Sequence, residues 1–304
     1  MPLAMEAVEA GFRAHAEGRA RMPAKVYLDL PELDGDFRAM PALYGAYAGV
    51  KWVNAHPHNP RRFGLPAVLG TYVLSDAKTA LPLAIMDATV LTALRTGAAA
   101  GVATRYLANL PLSRVGFVGT GVQARMFRAA LRTLGSFEVL AADRDEGAAQ
   151  RFAQESGGRT VSLAEAAGCP VVCVATPSCT PVIERAWIGE GTHVNAMGAD
   201  GPGKQELDPQ ILTTARVVVD EPAQSLHGGE LNVPVSQGLY SADRIAATLG
   251  EVILGTKPGR LRDSDVTIFD STGLAIQDVA LAAALFERAQ ARDVGMSVEL
   301  VPAG

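Results

Sequence analysis

The sequence predicts an α/β protein, a doubly wound parallel sheet joined to a smaller β-rich α+β domain. Three observations predict it. A glycine-containing strand-to-helix turn stands at Val115-Gly116-Phe117-Val118-Gly119-Thr120-Gly121-Val122-Gln123-Ala124. After it, short apolar runs alternate with helical patterns, as a parallel sheet with crossover helices requires. Ahead of it lies a long stretch of strand-like runs separated by hairpin-type turns.

Taken in order, Ala4 to Ala20 alternates apolar and polar residues at helical spacing and reads as a surface helix. Lys25 to Leu30, Phe37 to Ala42, Gly49 to Asn54, Val68 to Ser75 and Ala80 to Met86 read as strands, the last two joined by a turn at Asp76-Ala77-Lys78-Thr79. Asp87 to Ala108 is a long Ala-rich helix closed by Asn109-Leu110-Pro111. The turn at Gly119 opens a helix that stops at Gly135, and Phe137 to Ala142 follows as a buried strand. Later strands are Val171 to Ala175, His193 to Met197, Val217 to Asp220 and Val266 to Phe269. Gly255 to Asp265, charged and Gly-containing, reads as a mobile loop. The final helix, Ala275 to Arg292, is expected to pack back on the first domain. The division is therefore 1–112, completed by 274–304, for the β-rich domain, and 113–273 for the Rossmann-type cofactor domain.

Bulk properties narrow the classes. The chain has 304 residues, 48% hydrophobic and 19% charged, with a net charge of −5. That is an ordinary globular composition, and its mild acidity argues against a nucleic-acid partner. No apolar run reaches membrane-spanning length. Met1-Pro2-Leu3-Ala4-Met5-Glu6 lacks the basic and apolar regions of a signal peptide, so a cytoplasmic protein is expected. Cys169, Cys173 and Cys179 then read as reduced thiols, Cys173 packed in a strand. Their spacing matches no zinc pattern, and no metal is expected. His56 and His58 lie in the Pro-rich stretch Asn54 to Pro60 and read as loop histidines, and His227 as structural.

The turn is the form on which dinucleotide-binding proteins seat a pyrophosphate. Gly119 makes the tight turn, Gly121 permits close approach of the phosphates, and Ala124 lets the helix pack on the sheet. The unpaired N–H groups of that helix would face the anion. Asp143 ends the next strand, where a ribose hydroxyl would be bound, and its charge disfavours a 2′-phosphate. NAD is therefore expected, although Arg144 beside it leaves NADP open. Alternatively, Asp143 caps the turn that follows its strand. Thr176 ends a further strand and is a cofactor contact; Thr96, Val122, Gln123, Met197 and Gly198 complete the expected set.

Two groups of polar residues stand in apolar company. Lys25, Arg38 and Lys51 lie on strand-like segments and Arg95 in an Ala-rich helix, so four cations could converge on one small anion. The other group is Gly198-Ala199-Asp200-Gly201-Pro202-Gly203-Lys204-Gln205-Glu206-Leu207, just beyond the carboxyl end of a sheet strand, where ligands bind in doubly wound sheets. Asp200 is there either as a chemical group or as a turn cap; Asp208, before Pro209, reads as a helix cap.

These segments resemble the ornithine cyclodeaminase/μ-crystallin family through almost the whole chain. The most specific pieces are Gly49 to Pro57, Leu94 to Ala99, the Gly119 turn, Gly198 to Leu207, and Phe269-Asp270-Ser271-Thr272-Gly273-Leu274-Ala275-Ile276-Gln277-Asp278. Pro23 to Leu28, Gly35 to Ala42 and His227 to Val233 are closest to its archaeal-type alanine dehydrogenase branch. The resemblance implies a homodimer. It implies that Arg38, Lys51 and Arg95, with Lys25 in the alanine dehydrogenase branch, hold the substrate, and that Asp200 is the catalytic acid; Lys51 is a second catalytic candidate. Family members usually carry a further strand ahead of the first helix.

The expected activity is NAD-dependent oxidation of a small L-amino acid to its imine or keto acid, most like L-alanine dehydrogenase. A cyclodeaminase, converting L-ornithine to L-proline and ammonia with NAD recycled, shares the first step. A ketimine reductase or a non-catalytic small-ligand binder, as in the μ-crystallin branch, are the remaining readings.

Overall fold

The computed structural model describes residues 1–299. In chain order its elements begin α1 (Pro2–Ala16), β1 (Ala20–Arg21), β2 (Val26–Leu30), β3 (Gly35–Tyr44), β4 (Tyr47–Ala55), α2 (Asn59–Phe63), β5 (Gly70–Asp76), β6 (Pro82–Asp87) and α3 (Ala88–Leu107). They continue β7 (Arg114–Val118), α4 (Val122–Leu131), β8 (Glu138–Ala142), α5 (Glu146–Ser156), β9 (Arg159–Thr160), α6 (Leu163–Ala167), β10 (Val171–Val174) and β11 (His193–Ala196). The last are α7 (Pro209–Thr214), β12 (Arg216–Val219), α8 (Pro222–Gly228), α9 (Asn232–Ser236), β13 (Ala247–Thr248), α10 (Leu249–Leu254), β14 (Thr267–Asp270) and α11 (Ala275–Gln290). Two compact units form, one of Glu6–Arg95 with Ala275 onwards, the other of Met1–Met5 with Thr96–Leu274.

The first unit is an antiparallel sheet in the order β1-β3-β4-β5-β6, with β2 also paired to β3. Strand alternation sorts its side chains cleanly. Met40, Lys51 and Tyr72 are register partners on one face, joined by Val53 opposite Arg38. α11 packs on β3, β4 and β5, and Ala275 to Ala283 of that helix are buried. Val26, Ala39 and Trp52 share the opposite face, and Phe37 stacks on Trp52 at 5.1 Å.

The second unit is an eight-stranded sheet in the order β13-β12-β14-β11-β10-β7-β8-β9, with every pairing parallel. From β7 the chain runs outward through β8, then returns to β10 on the other side. The strand order therefore reverses between β7 and β10, which places the ligand crevice of such a sheet beyond their carboxyl ends. The strands are short, apolar and buried on both faces, with Val118, Leu140, Val172, Val174, Val194, Val217 and Ile268 in one core. Local signals set the helix ends: Asp208 accepts from the Gln210 amide at the start of α7, and Thr248 with Glu251 forms a capping box on α10.

One expectation is corrected. Gly255 to Asp265 is tied down rather than free: Arg260 donates to the carbonyls of Leu107 and Gly191, and Arg216 to those of Pro258 and Gly259. The three cysteines are free thiols, Cys169 and Cys173 buried and Cys179 exposed. Burial pushes the Cys169 thiol up to about 11 and Cys173, within β10, to about 12. Among the described residues no helix is long and apolar enough to cross a membrane.

Candidate active site

The turn after β7 is built by its backbone. Gly119 has φ +83°, and a Cβ there would stand 2.5 Å from the Ala175 carbonyl oxygen, so no other residue fits. A Cβ on Gly121 would meet open space. Gly121 caps α4 without any side-chain acceptor, so the first N–H groups of the helix are directed at that space. Gln123 beside them has a buried Oε1 with no partner. Val122 is exposed and Ala124 buried, the latter giving the close helix–sheet contact. Asp143 has a second task besides the one its position suggested. Its Oδ2 accepts from the Thr120 amide at 2.7 Å and the Thr120 hydroxyl at 2.9 Å, and its Oδ1 from the Asp145 amide at 2.9 Å. A carboxylate has further lone pairs, so bracing the turn leaves capacity for another donor. Arg144 is exposed.

Thr176 follows β10, and Met197 and Gly198 follow β11. Both loops meet one carboxylate. Glu206 Oε1 accepts from the Thr176 amide at 2.5 Å and its hydroxyl at 2.8 Å, while Oε2 accepts from the Gly198 amide at 2.7 Å. Asp200 is two residues beyond Gly198, partly exposed, and ion-paired with Lys204. Thr96, in α3, and Met197 are both buried.

In the antiparallel unit the expected cations do gather. Lys51 is fully buried, its Nζ donating to Asp278 Oδ1 at 2.8 Å. Arg95 approaches the same carboxylate at 3.3 Å and donates to Gln277 Oε1 at 3.1 Å. Burial pulls Lys51 down to about 7; Asp278 opposes that shift, while Arg95 and Lys25 add to it. Lys25 is thus close enough to be felt. Arg38, on the same sheet face, is held by Asp36 through two parallel bonds of 2.9 and 2.8 Å and lies over the Tyr27 ring at 5.3 Å. Lys51 and Arg95 thus meet on one carboxylate, Asp278, with Lys25 near enough to act on Lys51.

Asp278, Gln277 and Glu206 were not singled out from sequence as site residues. A signal existed for Asp278, a lone acid within Ala275-Ile276-Gln277-Asp278-Val279-Ala280-Leu281. His56 pairs with Asn54 at 2.8 Å and packs edge-on to Phe37, and His58 lies 3.9 Å from Asp34.

A parallel sheet whose strand order reverses beside a Gly119-x-Gly121 turn defines a dinucleotide-binding protein by architecture. The chain matches the sequence profile of the ornithine cyclodeaminase/mu-crystallin family over residues 1–293, and it belongs to that family. It is 50% identical over 305 residues to an alanine dehydrogenase of Archaeoglobus fulgidus, covering 98% of this chain and 94% of that one. A solved archaeal alanine dehydrogenase dimer with bound NAD superposes with a TM-score of 0.95 at 50% identity, covering 99% of this chain and 95% of the other. The Delta(1)-pyrroline-2-carboxylate reductase of Thermococcus litoralis, solved with NADH and L-proline, gives a TM-score of 0.93 at 34% identity, covering 97% and 95%.

Proposed function

We propose that this chain is an NAD-dependent dehydrogenase of a small L-amino acid, most like L-alanine dehydrogenase, converting L-alanine reversibly to pyruvate and ammonia. The buried Lys51 and Arg95, which meet on Asp278, support the substrate class, because cations in such a setting suit an anion of carboxylate size. Alanine itself follows the alanine dehydrogenases to which the chain is similar.

The residues suit NAD. Gly119 and Gly121 leave room for the pyrophosphate, the open start of α4 offers N–H groups to it, and Gln123 has an unused buried acceptor. Thr96, Val122, Ala124, Thr176, Met197 and Gly198 complete the wall, and Asp143 with Asp145 disfavours a 2′-phosphate despite Arg144. Bound there, NAD supplies the acceptor for hydride from the substrate α-carbon. Arg38, Arg95, Lys25 and Lys51 hold the carboxylate and fix the α-carbon. Asp200 takes a proton from the ammonium group, releases it to solvent, and then takes one from the water that attacks the imine. Lys51, brought near neutrality, is a second proton acceptor.

In this reading the antiparallel unit binds substrate and pairs with a second copy, and the parallel unit holds NAD. The dimer face is the open side of the antiparallel sheet, where Val26, Trp52 and Ile85 are 61%, 45% and 63% exposed. The reduced thiols fit a cytoplasmic site of action.

The test is absorbance at the reduced-nicotinamide band with NAD and a panel of L-amino acids. Steady reduction with L-alanine is expected. Proline and ammonia formed from L-ornithine without net reduction would replace this reading with a cyclodeaminase, and binding without turnover would replace it with a carrier. Asp200→Asn should fold and bind NAD while turnover falls by about 10²–10⁴-fold; near-normal turnover would remove Asp200 from the chemistry.

A further inference from the structure

The carboxyl edge of the parallel sheet carries a series of buried carboxylates that the reaction does not consume. Glu206 is fully buried and receives Thr176 and Gly198, each two residues beyond the end of its strand, β10 and β11 respectively. Its own backbone is held in turn: the amides of Glu206 and Leu207 donate to Glu230, at 3.0 and 2.6 Å. The Glu230 amide donates to Asp270 at 2.9 Å, and Asp270 closes β14. Beyond the end of a strand the ladder of sheet bonds stops, and amides leaving it need other acceptors. Here the acceptors are side chains, and Glu206 is the one that joins two loops.

We propose that Glu206 is a positioning residue: its ionised carboxylate locks the Thr176 and Gly198 segments together, and so fixes both the cofactor wall and the point from which Asp200 projects. This rests on the dehydrogenase reading above. Two facts support it. Each carboxylate oxygen receives a backbone N–H, so both must act as acceptors, which favours the ionised form although burial pushes this carboxyl upward. Gly198 also has no freedom to shift, since a Cβ there would stand 2.3 Å from the Thr176 carbonyl oxygen and 2.4 Å from Glu206 Oε1. Only Ala199 lies between Gly198 and Asp200, so a displacement at Gly198 is transmitted to Asp200.

Glu206→Gln tests this, because one face of the amide is a donor and must oppose either the Thr176 or the Gly198 N–H. NAD affinity, measured as quenching or enhancement of bound NADH fluorescence, should fall by roughly 10- to 100-fold. The turnover number at saturating NAD should also fall, while KM for the amino acid stays within about twofold. Thr176→Val, which removes the hydroxyl bond to Glu206 and the weaker one from the Ser178 amide while keeping the Thr176 N–H bond, should move both quantities the same way by roughly 3- to 10-fold, and it serves if the Gln variant does not fold. Normal NADH affinity and normal turnover in the folded Gln variant, or in Thr176→Val, would overturn the proposal. A rise in amino-acid KM alone would overturn it too. NADH binding is read without substrate, so failure of the alanine assignment would show separately, as wild-type protein that binds NADH and oxidises no amino acid.

Discussion

In the antiparallel unit the buried charges are opposite in sign and meet as side chains: Lys51 and Arg95 converge on Asp278. In the parallel unit the buried carboxyls Glu206, Glu230 and Asp270 meet mainly backbone N–H groups. In the proposed reading the first arrangement serves a ligand and the second shapes loops, because each carboxylate there is committed to holding chain.

The largest effect should come from emptying the first arrangement. Asp278→Ala leaves two cations buried without their counter-ion and should cost about 3–5 kcal/mol, read by denaturant unfolding. A smaller loss would mean that Lys51 simply gives up its proton. The milder Asp278→Asn sharpens the point through pH. Lys51 is lowered to about 7, so amino-acid oxidation should rise as pH increases through about 7 in the wild type. Asp278 opposes that lowering, so its neutralisation should move the limb to lower pH. Unfolding gives an independent sign: with the folded pKa below the unfolded 10.5, the Lys51 contribution to stability grows from about pH 7 to 10.5.

Arg38→Ala should come next. Loss of a charge-assisted bond to the substrate carboxylate weakens amino-acid affinity by about 1.5–3 kcal/mol, with NAD affinity unchanged. A fall in NAD affinity instead would show that Arg38 has been given the wrong ligand. In the second arrangement, burial pushes Asp270 up to about 8, above its unfolded 3.8. Its contribution to stability should therefore decline as pH rises from 3.8 to about 8, opposite in direction to Lys51. Asp270→Asn should flatten that decline at little cost at neutral pH, as followed by thermal unfolding across pH; an unchanged slope would place the proton elsewhere in the series. The smallest effect should come from an exposed pair. Arg159→Ala, which breaks contacts to Glu138 and Glu165, should leave the unfolding midpoint within experimental error.

The parallel strands and the Gly119 turn were legible because each is a local pattern: an apolar run, a glycine spacing, a helix start. The two-residue strands β1, β9 and β13 carry too few residues to show a period. Lys51 and Arg95 could be picked out as cations in apolar company, but Asp278 is 227 residues from Lys51, and no local rule links them. Glu206 stands in the same glycine-rich stretch as Asp200, but its task depends on Thr176, 30 residues earlier, and no local pattern marks it. Gly255 to Asp265 was misjudged for a related reason. Arg260 looks like surface charge, yet its acceptors include the carbonyls of Leu107 and Gly191, which have no sequence signature.

The placement of the thiols has a practical consequence. Cys169 and Cys173 are sealed in the sheet layer and held as neutral thiols, while Cys179 is exposed. A maleimide dye should attach at one position in the unmodified chain. That position is three residues from Thr176, in the loop where the Gln205 amide donates to the Ser178 carbonyl. A label there would turn the loop beyond β10 into an optical gauge of cofactor entry, with no cysteine to add or remove.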